Sequence, residues 1–144
     1  MSTIVQWKAQ DLAGVALAAL VGGGAFAFRE LAIVPRATVG ICAASSAPSW
    51  CVPRGWVLSG QYYGVFGWAA LAAGLAAFFL ANRLLGALAL GLGVAAVVNY
   101  NGTQGIIGGA LGLIAWLSVA SGLISWKSFG IPNLIMFIFN LWLH

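Results

Sequence analysis

Charge is the property that this sequence has least of. Only 6% of its 144 residues are Asp, Glu, Lys or Arg, and only two residues are acidic. A soluble domain usually carries about 25% charged residues, which it needs to cover its water-facing surface. The scarcity of charge therefore excludes an ordinary soluble domain.

Histidine is almost as scarce, since the terminal His144 is the only one. Internal haem or zinc sites built on histidine are thereby excluded. The two acids, Asp11 and Glu30, are predicted at opposite ends of one helix, too far apart to act as an acid/base pair. No P-loop or dinucleotide-binding glycine motif is present. We therefore expect no metal, no cofactor and no catalytic residues. The scattered basic residues also predict no nucleic-acid partner.

Apolar residues are abundant, at 62% of the chain, with a mean hydropathy of +1.03. In lipid the backbone must satisfy its own hydrogen bonds, which leaves helices or a closed barrel. The runs here are apolar on every face and lack the alternation of a barrel strand. They predict a single all-α integral membrane domain over residues 1–144, with lipid as its surroundings. Four transmembrane helices are expected, at about 12–34, 61–81, 84–99 and 104–126.

Residues 131–144 contain an apolar stretch, 134–143, that is too short to cross a bilayer. We expect a short, non-spanning helix there, which lies at the membrane interface, re-enters the membrane without crossing it, or contacts a partner.

Residues 35–60 form the one long polar interval and contain both cysteines, Cys42 and Cys51. A lone pair of cysteines in one extramembrane loop is typical of a disulfide in an oxidising compartment. This predicts a stapled outer loop, cytoplasmic termini and an inner-membrane location. The alternative is a redox-active dithiol linked to a quinone. The eight intervening residues favour the staple, because thiol oxidoreductases of that kind use a C-x-x-C pair.

Several polar residues are predicted on the same outer side of the membrane. They could form a shallow site for a lipid or quinone headgroup, or they could simply anchor helix ends and build turns. These residues are Arg29, Glu30, Gln61, Tyr62, Asn99 and Gln104.

Small residues recur four apart in the predicted spans, as in Gly105/Gly109 and Gly108/Gly112. Such spacing lets helix backbones approach closely in lipid. The other predicted packing positions are Gly14, Ala18, Gly22 and Gly91. The pattern indicates a tight bundle and favours association with other membrane subunits or with copies of itself.

With packing patterns but no catalytic motif, the sequence favours a small accessory or structural subunit of a larger inner-membrane assembly of respiratory or photosynthetic type. One alternative is a transporter component with Arg29, Glu30, Gln61 and Asn99 near the substrate path. A less favoured one is the quinone-linked thiol oxidoreductase.

Overall fold

The computed structural model describes residues 8–122, and this part of the chain is helical with no strand. The helices are α1 (Ala9–Ile33), α2 (Arg36–Ala43), α3 (Cys51–Tyr62), α4 (Val65–Leu80), α5 (Arg83–Val98) and α6 (Gly102–Ala120). The predicted all-α class is confirmed, and so is the disulfide between Cys42 and Cys51, whose Cα atoms lie 5.5 Å apart.

Helix α1 begins after Lys8, whose backbone N–H donates to the Asp11 carboxylate at 2.8 Å. An acid in the first turn also complements the positive end of the helix dipole. Two π-helical stretches, Ala19–Gly23 and Arg29–Ile33, lie within the helix. It ends before Pro35, as expected because proline disfavours helical geometry in the residue preceding it.

The interval 35–60 differs from the predicted loop, because most of it is helical. Pro35 starts α2, and its carbonyl oxygen accepts a 2.6 Å hydrogen bond from the Thr38 hydroxyl. Helix α3 contains Pro53 in its first turn, where the missing N–H costs nothing. Composition suggested a loop because prolines and serines are typical turn residues, but here they stand at helix starts and in the short link between helices.

Helices α3 and α4 meet at an angle of 70°. The corner is Gly64, whose φ of +71° is readily adopted only by glycine. The predicted second span, 61–81, therefore begins at Val65, on the far side of this corner.

Helices α4, α5 and α6 contact one another, and α1 packs mainly on α5. Short turns make α5 antiparallel to both α4 and α6. Gly14 of α1 lies against Ala87 of α5, and Gly22 lies against Val94 further along both helices. These two helices therefore run parallel. One end of the molecule thus carries the start of α1 and the α4–α5 turn. We call it the near end. The opposite end, with α2, α3 and the α5–α6 turn, is the far end.

Two helices, α1 and α6, are long and apolar enough to cross a membrane, and the bent α3–α4 pair would make a third span. Helix α5 has 16 residues, about 24 Å, which is short of a bilayer core of about 30 Å. Four spans are therefore not established. The predicted tail, 131–144, and the end of the fourth span lie outside the described residues.

The interior of the described part is made of small residues. Ten of its eleven buried apolar residues are alanines and the other is Trp116, while many leucines, isoleucines and valines face outward. Helices α5 and α6 nearly touch through glycines: a Cβ on Gly93 would lie 2.7 Å from the Gly105 carbonyl oxygen. Gly108 packs equally closely on the Ala70 backbone of α4.

Enlarging a glycine at these contacts is therefore expected to destabilise the protein. A Cβ on Gly86 would lie 2.6 Å from the Gly112 carbonyl oxygen, so Gly86→Ala forces two backbones apart. We expect a loss of about 1–3 kcal/mol in the free energy of unfolding, the usual range for overpacking. Titration with SDS in mixed micelles measures it.

Gly23→Ala is the matched control, because nothing lies within 4 Å of the added Cβ. This change should leave stability unaltered or raise it by up to about 1 kcal/mol, since alanine favours helix. Equal effects of the two substitutions would contradict close packing at Gly86.

Candidate functional site

The near end holds a buried carboxylate with three partners. Asp11 is fully buried, and its Oδ2 accepts hydrogen bonds from the Lys8 backbone N–H at 2.8 Å and from Arg83 Nη1 at 2.7 Å. Its Oδ1 accepts a 2.8 Å bond from the Trp116 indole N–H. Both carboxylate oxygens are therefore satisfied, as a buried charge requires.

Arg83 connects this carboxylate to the end of α6. Its Nη2 donates to the Val119 carbonyl oxygen at 3.0 Å, and its side chain is 12% exposed. A cation is favourable at a helix C-terminus, where carbonyl groups lack partners within the helix. Arg83 is the first residue of α5. Its guanidinium thus joins the first turn of α1 to the last turn of α6.

Trp116 fills the space beneath this ion pair. A Cβ on Gly14 would lie 3.1 Å from the Trp116 ring, and a Cβ on Gly86 would lie 3.1 Å from the Trp116 Cβ. Glycine at position 14 thus leaves room for the ring, and glycine at position 86 leaves room for the first carbon of the side chain. We call Asp11, Arg83 and Trp116 the near-end tether, because their side chains link α1, α5 and α6.

Sequence reasoning did not identify the tether. As a candidate functional residue, Asp11 was considered only as a distant counterpart of Glu30, and Arg83 was not singled out. A signal was nevertheless present: the predicted topology placed Asp11 and Arg83 on the same side of the membrane. In a chain with two acids, such a pair is a strong candidate for an ion pair.

The far end contains polar groups that are incompletely paired. The Arg29 guanidinium carbon lies 4.5 Å from the centroid of the Tyr100 ring, a cation–π distance. Tyr100 has a φ of +61°, which is uncommon for a residue other than glycine. Arg29 Nη1 is buried and has no hydrogen-bond partner among residues 8–122.

The α5–α6 turn holds further buried amides. Asn99 is 1% exposed and donates through Nδ2 to the Ala95 carbonyl oxygen at 2.8 Å, while Asn101 Nδ2 donates to the Gln61 carbonyl oxygen at 3.1 Å. Within the described part of the chain, the side-chain oxygens of Gln61, Asn99 and Asn101 are buried without a partner. Buried amide oxygens usually have one.

Of the six predicted headgroup-site residues, the structure brings Arg29, Gln61 and Asn99 to this end around the α5–α6 turn. Gln104 is half-buried near the start of α6, where α4 presents Gly67. Glu30 is exposed, and Tyr62 is 84% exposed with its ring edge-on to Tyr63. No hydrogen bond or ion pair within residues 8–122 joins either of these two side chains to the turn.

The predicted packing residues lie at helix contacts. A Cβ on Gly22 would lie 2.9 Å from the Val94 Cβ, and one on Gly91 would lie 3.1 Å from the Ala18 Cα. In α6, Gly105 and Gly109 face α5, whereas Gly108 faces α4. Gly112 also faces α5, so the first glycine pair serves α5 alone and the second pair is divided between α4 and α5.

An apolar groove of about 250 Å³ runs between α5 and α6 on the outer surface of the molecule. Gly93, Gly105 and Gly109 are buried at its floor. Its remaining lining residues are Leu90, Val94, Val97, Val98, Ile106 and Ala110. We call it the α5–α6 groove. It can accept an apolar chain but has no group that would act on one.

Among residues 8–122, no cluster of three or more His, Cys, Asp or Glu side chains could hold a metal ion. Both cysteines of the sequence are consumed by the one disulfide.

No protein-family model matches this chain, and no curated protein or solved structure shows significant similarity to it. Its function is therefore argued from its own residues.

Breaking the near-end tether is expected to destabilise the protein strongly. Asp11→Asn removes the charge that compensates Arg83, and loss of one partner of a buried ion pair typically costs about 3–5 kcal/mol. We expect a fall of at least about 2 kcal/mol in the free energy of unfolding, because the amide can keep some of the hydrogen bonds. SDS titration measures the change.

Glu30→Gln provides the matched acid-to-amide control in the same helix. Glu30 is exposed, so this substitution should change stability by less than about 0.5 kcal/mol. Two equally stable variants would show that the tether contributes little.

Proposed function

We propose that this chain is a small, non-catalytic subunit that packs against other subunits of a larger membrane assembly. The observation that carries the proposal is the α5–α6 groove, an apolar surface with a glycine floor that residues 8–122 leave open. In lipid, small residues mark the surfaces where helices associate. The floor glycines, Gly93, Gly105 and Gly109, also form the contact between α5 and α6, and their lack of side chains leaves the groove above them unfilled.

The occupant that we propose is an apolar helix of a neighbouring subunit. Val94, Val97 and Ile106 are 44–62% exposed along the groove and form ridges on either side of its floor. A helix with a bulky side chain at the contact would place that side chain over Gly105 and Gly109. This is the ridge-into-groove arrangement by which helices pack.

The transporter alternative has less support. It relies on Glu30 facing a path through the bundle, and Glu30 is exposed. The thiol oxidoreductase alternative has less support too, because such enzymes usually carry a second cysteine pair that exchanges electrons with the first. The chain has only Cys42 and Cys51, and both lie in or beside the short helices α2 and α3.

Filling the groove should abolish the association. Ala110 is an exposed lining residue, so Ala110→Trp would occupy the space where a partner helix packs. We expect the wild-type chain to elute in a complex of defined stoichiometry after mild detergent extraction from its native membrane. The variant should elute separately, as native mass spectrometry would show.

Ala72→Trp is the matched control, because Ala72 is an exposed alanine on α4, outside the groove. This variant should remain in the complex. A wild-type chain that is monomeric after mild extraction would contradict the proposal. Retention of Ala110→Trp in the complex would contradict the groove as the contact surface. A complex that contains only copies of this chain would contradict a different subunit as the partner and show a homo-oligomer.

We further propose an inner-membrane location with the far end outside the cytoplasm and the near end facing it. The support is the disulfide, because such bonds persist in oxidising compartments. In spheroplasts, a membrane-impermeant maleimide should label Cys42 and Cys51 only after a reductant is added. Labelling that requires permeabilised membranes would place the far end in the cytoplasm.

A further inference from the structure

The far end carries arginines whose charge is not neutralised within the described residues. Arg29, Arg36 and Arg54 all lie there, whereas the only ion pair among residues 8–122 is the one between Asp11 and Arg83 at the near end. Glu30 follows Arg29 in the chain, but adjacent helical residues point about 100° apart and the two form no ion pair.

Two of these arginines are held in place by the fold. Arg54 Nε donates to the Ala32 carbonyl oxygen at 3.0 Å, which fixes this guanidinium at the C-terminus of α1. Arg29 lies on the same helix, three residues before Ala32 and thus about 4.5 Å away along the axis, with its guanidinium on the Tyr100 ring. Both side chains are therefore attached at the end of α1, Arg29 through its own backbone and Arg54 through its hydrogen bond to Ala32. An anion bound at this terminus would be attracted by both charges.

Both guanidinium groups have N–H donors that make no hydrogen bond within the described residues. Arg29 Nη1 is buried without a partner, and Arg54 makes no hydrogen bond through its two terminal nitrogens within the described residues. An oxygen that reaches Nη1 must displace the atoms that now cover it, so the Arg29 side chain would turn on the Tyr100 ring. Arginine suits phosphate because its planar fork donates two parallel hydrogen bonds.

The surroundings favour a lipid as the source of the phosphate. Helix α3 is bent 70° from α4, so it would lie close to the membrane plane if α4 crosses the bilayer. Its exposed residues include Trp56 and Tyr62, and aromatic side chains of this kind are enriched at the headgroup level. Arg54 is in this helix, so the same orientation would place its guanidinium group at the depth of lipid phosphates.

We propose that Arg29 and Arg54, with Tyr100 beneath Arg29, form a binding site for the phosphate group of an anionic phospholipid. This site does not depend on the partner subunit proposed above, since it lies around the α1 terminus and not in the α5–α6 groove.

The test uses the full chain in a neutral, zwitterionic detergent. Short-chain phosphatidylglycerol, phosphatidic acid and phosphatidylcholine are titrated in turn, and native mass spectrometry measures how much of each lipid is bound. We expect the two anionic lipids to bind more tightly than phosphatidylcholine. Each of Arg29→Gln and Arg54→Gln should weaken that binding about fivefold, the effect of roughly 1 kcal/mol per arginine.

Arg36→Gln is the matched control, because it removes the same charge from an exposed position on α2. It should leave the affinity nearly unchanged. Arg54→Lys, which keeps the charge but loses the fork, should fall between wild type and Arg54→Gln and covers the case in which Arg29→Gln does not fold.

Three results would overturn the proposal. Equal affinity for phosphatidylcholine, whose phosphate stands beside a choline cation, would show that the net negative charge of the lipid is not recognised. Equal weakening by Arg36→Gln would show diffuse attraction in place of a site. Inorganic phosphate or glycerol phosphate that competes at the concentration of the lipid would identify a free anion as the ligand.

Discussion

The close approach of helix backbones at glycine is the constraint on which the rest of the structure depends. Where Gly93 meets Gly105 and Gly109, helices α5 and α6 lie too close for any side chain to stand between them. Lipid gives apolar side chains no reason to cluster, so helices in a bilayer associate through packing contacts and polar bonds. The alanine-rich interior and the outward-facing leucines and valines both follow from this arrangement.

Close packing also decides where polar groups can be accommodated. The interior formed by α4, α5 and α6 has no room for them, and they lie at the two ends. At the near end the Asp11 carboxylate is fully paired, so this end is suited to holding three helices together. At the far end buried oxygens and an arginine nitrogen remain unpaired in the described part of the chain, so that end retains capacity for a ligand.

Sequence reasoning succeeded where a single local property decides the outcome. Long apolar runs predicted helices, and two cysteines in one polar interval predicted the disulfide. It was less accurate over residues 35–60, because serine and proline serve both turns and the first turns of helices. The 70° corner at Gly64 was also missed, since glycine is frequent throughout the chain and nothing local distinguishes this one.

The candidate sites were harder to predict because they depend on which helices are neighbours. Asp11 and Arg83 are 72 residues apart, and only the parallel packing of α1 on α5 brings them together. Arg29 and Asn99 were named from their positions near helix ends, but Tyr100 was not assigned a role with Arg29. Tyr100 has a left-handed backbone conformation, which nothing local in the sequence predicts, and its ring contacts the guanidinium.

The two ends together suggest how such a small chain could serve a larger assembly. A tether that is fully paired fixes the relative positions of α1, α5 and α6, and thereby the shape of the groove between α5 and α6. A rigid groove loses little conformational freedom when a partner helix packs into it, so more of the contact energy remains as affinity. A lipid held at the far end would act in the same direction, because it would compensate the arginines that otherwise repel one another around the α1 terminus.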